Sequence, residues 1–290
     1  MNIPKIDAHQ HFWQRSQPFD YKWLDNPKLA KICGDYLPDD LKVHLDHRNI
    51  DGSIFVQTQH NLLENDWVLS LCDQNSYLLG MVGWVDLASR ECEDQLLKAR
   101  QNPKFLGVRH VVQDEPDDNF LIRTDVLRGL STLEKHHVPF DVLIYVKHLK
   151  LVPTLARKFP TLKMVINHLA KPQIASHGFA DWQREFVACA KYENVFCKLS
   201  GMVTEADWEA WQPADLKPYI DQAIEAFSPS RLMFGSDWPV CELAASYEQV
   251  HDALAENIAT LTTAEQSEIF AGTARRYYEL NGLSATMNPA

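Results

Sequence analysis

The chain has 290 residues, of which 46% are hydrophobic and 23% charged, ordinary values for a globular protein with enough length for a large core. A formal net charge of −11 excludes the basic footprint that nucleic-acid binding requires. No apolar run approaches the roughly 18 residues of a membrane span, and the start, MNIPKIDAHQHFW, lacks the basic-then-apolar pattern of a secretion signal.

The first short apolar run, Lys5–His11, ends in titratable residues, and so do the runs that follow it. After it, Phe12–Asn49 is too long for a simple connection. This stretch carries Trp13, Phe19, Tyr21 and Trp23 among charges and prolines, which suits a loop folded over the mouth of the fold. Further runs occupy Gly52–Gln59, Leu79–Val85, Phe105–Val112, Phe140–Val146, Lys163–His168, Val195–Leu199 and Leu232–Asp237. Val, Ile, Leu and Phe dominate them, as expected of strands buried on both faces.

Helical spacing separates the runs over Asp94–Arg100, Thr124–His137, Val152–Phe159, Asp181–Tyr192, Leu216–Ala226 and Tyr247–Thr260. A second long Trp-bearing connection, Gly201–Trp211, follows the seventh strand, and Thr263–Leu280 reads as a closing helix. Strand alternating with helix eight times predicts an α/β fold, a closed (β/α)₈ TIM barrel with its long insertion after the first strand at the barrel mouth. With no Gly/Ser linker or repeat, residues 1–290 are expected to form a single domain, with 281–290 a loose tail. Six scattered cysteines without a C-x-x-C pair read as reduced, mostly buried thiols of a cytoplasmic protein.

The strongest local signal is His9-Gln10-His11 at the end of the first strand. Residues two apart on a strand share a face, so Asp7, His9 and His11 are predicted to point the same way. Two imidazoles about 7 Å apart can converge on a metal ion or an oxyanion; alone, they could equally solvate a strand terminus. Barrel active sites collect residues from several C-terminal strand ends. Those ends carry Gln57 and Gln59, Trp84 and Asp86, Arg109 and His110, Asp141, Asn167 and His168, Lys198 and Ser200, and Asp237 and Trp238.

In that order, IDAHQHFW, GVRHVVQDEPD, INHLAKP, VFCKLSGM and FGSDWPV resemble the amidohydrolase superfamily. Within it they resemble the branch of sugar-lactone hydrolases that includes L-fuconolactonase-like and L-rhamnonolactonase-like proteins. The resemblance implies that any metal ion is bound through some of His9, His11, His168 and Asp237, and that Asp237 handles the proton of an attacking water. The chain departs from two-metal members, because the fourth strand ends in Arg109-His110 without a bridging lysine or glutamate and the fifth has no histidine at its end. At most one divalent ion is therefore expected, Zn²⁺ by preference, with a metal-independent site the other reading; no organic cofactor is implied.

The expected reaction is hydrolysis of an aldonolactone to the free sugar acid. Asp237 would be the general base, with Arg109, His168 or a mononuclear metal stabilising the developing oxyanion. His9, His11, Trp23, Gln57, Trp84, His110 and Trp238 would contact substrate. Each has a plainer reading: the tryptophans as core, Lys198 and Arg109 in buried ion pairs, and Asp114–Asp118 as a solvated charge run. His110 and Arg109 occupy opposite faces of their strand, so only one can enter the barrel. Two other readings stand beside the lactonase: a metal-dependent decarboxylase on the same scaffold and a non-catalytic sugar-binding barrel. The expected partner is a small-molecule sugar lactone, with no nucleic acid and no membrane; homo-oligomerisation is left open.

Overall fold

Eight parallel strands follow one another around a single sheet in the order β1 to β8, in a computed structural model that describes residues 3–280. The loose tail expected over 281–290 lies outside the described residues. The elements are β1 (Ile6–Gln10), α1 (Pro38–Arg48), β2 (Gly52–Val56), α2 (Leu62–Gln74), β3 (Leu78–Gly83), α3 (Cys92–Ala99), β4 (Phe105–Val111) and α4 (Thr124–Lys135). Then come β5 (Phe140–Leu143), α5 (Val152–Lys158), β6 (Met164–Ile166), α6 (Ala180–Ala190), β7 (Val195–Leu199), α7 (Pro213–Phe227), β8 (Leu232–Phe234), α8 (Tyr247–Asn257), α9 (Thr263–Ser267) and α10 (Thr273–Tyr277). This is a (β/α)₈ barrel. Its seam lies just beyond the last residues of β8, where Asp237 N–H donates to His9 O (2.8 Å) and His11 N–H to Trp238 O (2.7 Å).

Most strands stop short of the apolar runs that announce them, because the chain turns while its side chains stay buried. The clearest cases follow β6 and β8, where His168 and Asp237 adopt left-handed backbone with φ of 54° and 59°. Two helices escape the sequence pattern. α1 lies inside the stretch read as loop, since only Leu41, Leu45 and Pro38 give it a buried face among charges. α2 begins at Asn61, whose Oδ1 accepts from Leu63 N–H at 2.9 Å, the capping role Asn favours. The closing helix starts where expected. Thr262 caps it through a reciprocal pair with Glu265, but a π turn over Glu268–Gly272 separates α9 from α10.

One register shift corrects the sequence reading. An irregularity in the β1–β2 ladder between Asp7 and Gln10 adds a residue to β1, and one extra residue reverses which face the chain presents. Asp7 therefore leaves the face of His9 and His11 and turns toward α8, accepting from Tyr247 Oη (3.1 Å), Ser236 N (2.9 Å) and Ser236 Oγ (2.6 Å). It ties β1 to the β8 turn while His9 and His11 stay on the inner side.

The inner core below the mouth joins Ile54, Val56, Val82, Val165 and Met233 to Tyr277 and Tyr278 of the C-terminal segment. Above them lies a fully buried ion pair, Lys198 Nζ to Asp141 Oδ2 at 2.6 Å. Tyr278 Oη (2.9 Å) and Asn167 Nδ2 (3.0 Å) also donate to Asp141. Lys198 is thus an ion-pair partner, and Asp141 pairs with it rather than with Arg109. All six cysteines are unpaired, Cys33 exposed and the others buried. Among the described residues no helix is long and apolar enough to cross a membrane.

Candidate active site

The turns after β1, β6 and β8 bring three imidazoles to one carboxylate. Asp237 Oδ1 lies 3.2 Å from His11 Nε2, 3.7 Å from His9 Nε2 and 3.7 Å from His168 Nε2. All four side chains are buried. From β4, Arg109 reaches across the barrel, with Nη1 3.3 Å from His9 Nε2 and Nη2 donating to Gln57 O.

The partners of the imidazoles fix where their protons sit. His11 Nδ1 lies 2.6 Å from Val56 O; a carbonyl only accepts, so Nδ1 carries the proton. Arg109 only donates, so His9 Nε2 accepts. Burial holds both rings below the usual histidine range and pushes His168 down to about 3, which favours neutral imidazoles. Burial also works to raise Asp237, while the charged form of His168 and a hydrogen bond from His11 pull its carboxyl below the usual range, a pull that neutral rings supply only through a proton or cation shared with the carboxylate. Imidazole lone pairs thus face a carboxylate at short range, which is repulsive unless a proton or a cation lies between them.

The residues fit one divalent ion on that ground. His9, His168 and Asp237 each offer a ligand atom, all within 4.8 Å of one another, and a nitrogen-rich set with one carboxylate is zinc-like chemistry. Outer partners orient the rings as metal ligands require: Val56 O for His11 and Ser200 Oγ, 2.9 Å from Nδ1, for His168. At the corresponding ends, β4 offers Arg109 and β5 leads to Tyr145, with His148 turned away toward Asp118 at 3.4 Å.

The seating of His168 depends on a glycine. His168 to Lys171 are all left-handed, with φ between 52° and 60°, and backbone of this kind in non-glycine residues persists where the surroundings over-determine it. Gly201, itself at φ 59°, packs its α-carbon against the ring; a Cβ there would stand 2.7 Å from His168 Cγ. Gly201→Ala is expected to displace the imidazole and lower kcat about 100-fold, the cost of roughly a 1 Å misplacement. Its thermal midpoint should fall only by the few degrees that 1–2 kcal/mol represents. A loss of activity no larger than the loss of folded protein would contradict this.

A cleft of about 1230 Å³ opens above the carboxylate. Of the residues singled out in the sequence, His11, Trp13, Trp23, Gln59, Arg109, His168 and Asp237 line it. His9 sits behind them, fully buried, with its ring 4.4 Å from that of His168 and Nε2 3.7 Å from Asp237. Gln57 is enclosed in the barrel, its Nε2 donating to Arg109 O at 3.3 Å. Trp238 is not at the cleft: it is 1% exposed, packs on Phe12, Tyr36 and His44, and donates to Glu242 Oε1 at 2.8 Å. Trp84 and His110 stand behind the cleft wall and bond to each other.

The long insertion supplies Asp20, Lys22, Trp23 and Asp25 to the cleft, as expected of a loop over the mouth, and Thr204, Glu205 and Trp208 come from the connection after β7. The sequence reading missed His60, Glu115, Tyr145 and Lys171, which also line it. Lys171 ends the left-handed turn after His168 and lies 3.6 Å from Glu205; that turn has no glycine to announce it.

The profile of the amidohydrolase family matches residues 6–280. An L-fucono-1,5-lactonase of Burkholderia multivorans is 36% identical over 97% of this chain and 97% of its own. An L-fucono-1,5-lactonase of Burkholderia ambifaria is 34% identical over 84% of this chain and 83% of its own. Among solved structures, an amidohydrolase from Burkholderia multivorans with bound zinc superposes with a TM-score of 0.90 at 35% identity, covering 95% of this chain and 99% of that one.

Proposed function

The chain belongs to the amidohydrolase family, and we propose that it is a lactonase whose cleft opens a sugar-acid lactone, an aldonolactone of the L-fuconolactone type, to the free aldonate. The observation that carries the reading is Asp237: a buried carboxylate that three imidazoles face within 3.2–3.7 Å, at the floor of the cleft. The names of the two relatives support the substrate class.

Asp237 acts as general base and takes the proton from a water attacking the lactone carbonyl. The Arg109 guanidinium, pushed down to about 10 by burial, stays protonated at neutral pH and faces the charge that develops on the carbonyl oxygen. His168 Nδ1 is engaged with Ser200 Oγ at 2.9 Å, which turns Nε2 toward Asp237 and the reacting centre. The acid formed on Asp237 then returns its proton to the ring oxygen as that bond breaks. Trp23 and Trp208 line the cleft, where indole faces suit the C–H surface of a sugar ring. His9, His168 and Asp237, with His11 beside them, would hold a single zinc ion, which when bound would polarise the carbonyl and make water more acidic.

Two measurements test this. Metal analysis of the purified protein is expected to give about one equivalent of zinc per chain, falling by at least about tenfold in affinity in His168→Ala; two equivalents would contradict the single-ion reading. A pH-indicator assay over five- and six-membered aldonolactones should detect proton release without CO₂. Release of CO₂ from aromatic acids in place of lactone opening would favour the decarboxylase reading.

A further inference from the structure

The mechanism leaves unused a cluster where the loops after β2, β3 and β4 meet. Trp84, His60, His110 and Phe120 form a stacked column, with centroid separations of 5.4 Å, 4.0 Å and 4.4 Å in turn. A ring nitrogen of His60, one of His110 and a carboxylate oxygen of Glu115 lie within 4.8 Å of one another, a spacing that could by itself suit a cation. The protons say otherwise. Trp84 Nε1–H donates to His110 Nδ1 at 3.2 Å, so His110 carries its own proton on Nε2 and gives it to Glu115 Oε1 at 2.6 Å. Val111 N–H donates to His60 Nε2 at 3.0 Å, which leaves that proton on Nδ1. Neither ring keeps a free lone pair for a metal.

What the relay does is aim Glu115. The carboxylate lines the cleft with its side chain 20% exposed. Oε1 is tied by His110, and Oε2 makes no hydrogen bond among the described residues. Each carboxyl oxygen has more than one acceptor site, so acceptor capacity remains on the cleft side. Two other cleft-lining groups, Gln113 Oε1 and Trp23 Nε1, are buried atoms without a partner, and such groups call for an explanation. Acceptors and a donor lining one cleft match hydroxyl groups, which can both give and receive.

We propose that Glu115 recognises a ring hydroxyl of the substrate by accepting a hydrogen bond from it, with His110 and Trp84 as positioning residues that hold the carboxylate toward the cleft. The inference rests on the lactonase reading and narrows it: the wall selects polyhydroxylated lactones over unsubstituted ones. A hydrogen bond to a charged group contributes about 1.5–3 kcal/mol, which is roughly a 10- to 150-fold preference.

The test compares a six-membered aldonolactone, its monodeoxy analogues and δ-valerolactone in wild type, Glu115→Ala, His110→Phe and His110→Gln. In wild type one deoxy analogue should lose about 10- to 150-fold in kcat/KM, and in Glu115→Ala that penalty should shrink to within about threefold. His110→Phe should raise KM for the polyol lactone by at least tenfold with kcat changed far less. His110→Gln, which keeps a side-chain N–H near Glu115, should recover part of that loss. Equal deoxy penalties in wild type and Glu115→Ala overturn the proposal. Calorimetry with the same cyclic lactone, in the slowly reacting Asp237→Asn background, separates this from the lactonase reading. Glu115-dependent binding without turnover of any lactone would overturn the lactonase and keep the recognition site. Absent binding, or equal affinity in Glu115→Ala, overturns the site.

Discussion

Asp237→Asn is expected to lower kcat for lactone opening by roughly 10²–10⁴-fold, the range that a positioned general base contributes, with KM changed by less than about threefold. The exchange is a fair probe because of the backbone. Asp237 sits at φ 59°, a conformation that Asn tolerates about as well as Asp. Its N–H to His9 O clasp at 2.8 Å involves no side-chain atom and should survive. The amide keeps the shape of the carboxylate but cannot take a proton from water, and it removes the charge that the three imidazoles surround. An unchanged thermal midpoint and unchanged zinc content with activity lost assign the effect to proton transfer. Turnover near that of the wild type would remove Asp237 from the mechanism.

Lys198→Met should cost about 3–5 kcal/mol of folding stability, because removing one partner of a buried pair leaves the other uncompensated. Lys198 is fully buried, donating to Asp141 Oδ2 at 2.6 Å and to Ala8 O at 2.8 Å. Without it, the Asp141 carboxylate keeps only Tyr278 Oη and Asn167 Nδ2. Lys198→Met combined with Asp141→Asn, which neutralises both members, should regain at least about 2 kcal/mol, since replacing a whole buried pair is often close to neutral. Urea denaturation measures both. The double variant is also expected to hydrolyse lactones within about tenfold of wild type, because neither residue lines the cleft. A single variant costing under about 1 kcal/mol, or a double variant stable but inactive, would contradict the structural role.

The barrel was legible because its strands are apolar on both faces and its polar residues gather at strand ends. The same logic picked out His9, His11, Arg109, His168 and Asp237, which the structure brings to one place. Periodicity failed where the chain is irregular. Alternation put Asp7 beside His9, and the extra residue in β1 reverses that; no residue type marks such an insertion. Trp238 and Trp84 were placed at the mouth by their strand-end positions, but the turn after β8 buries the first against Phe12 and Tyr36, and the second faces His110.

Glu115 was missed for the opposite reason. It lies in the charged run Asp114–Asp118, which reads as solvated, and only the bond from His110 distinguishes it from its neighbours. A signal was present in the alternation of β4: with Arg109 pointing inward, His110 had to find a partner behind the wall. α1 was hidden by its charge, since two leucines and a proline make a thin apolar face.

The most direct test of the central claim is initial-rate hydrolysis of a six-membered aldonolactone, followed by proton release, in wild type and in Asp237→Asn side by side. The account predicts saturable turnover by the wild type at kcat/KM of about 10⁴ M⁻¹s⁻¹ or more, no CO₂, and a loss of at least about 100-fold in the variant. Wild-type rates no faster than the spontaneous opening of the lactone, or equal rates in the two proteins, would contradict it.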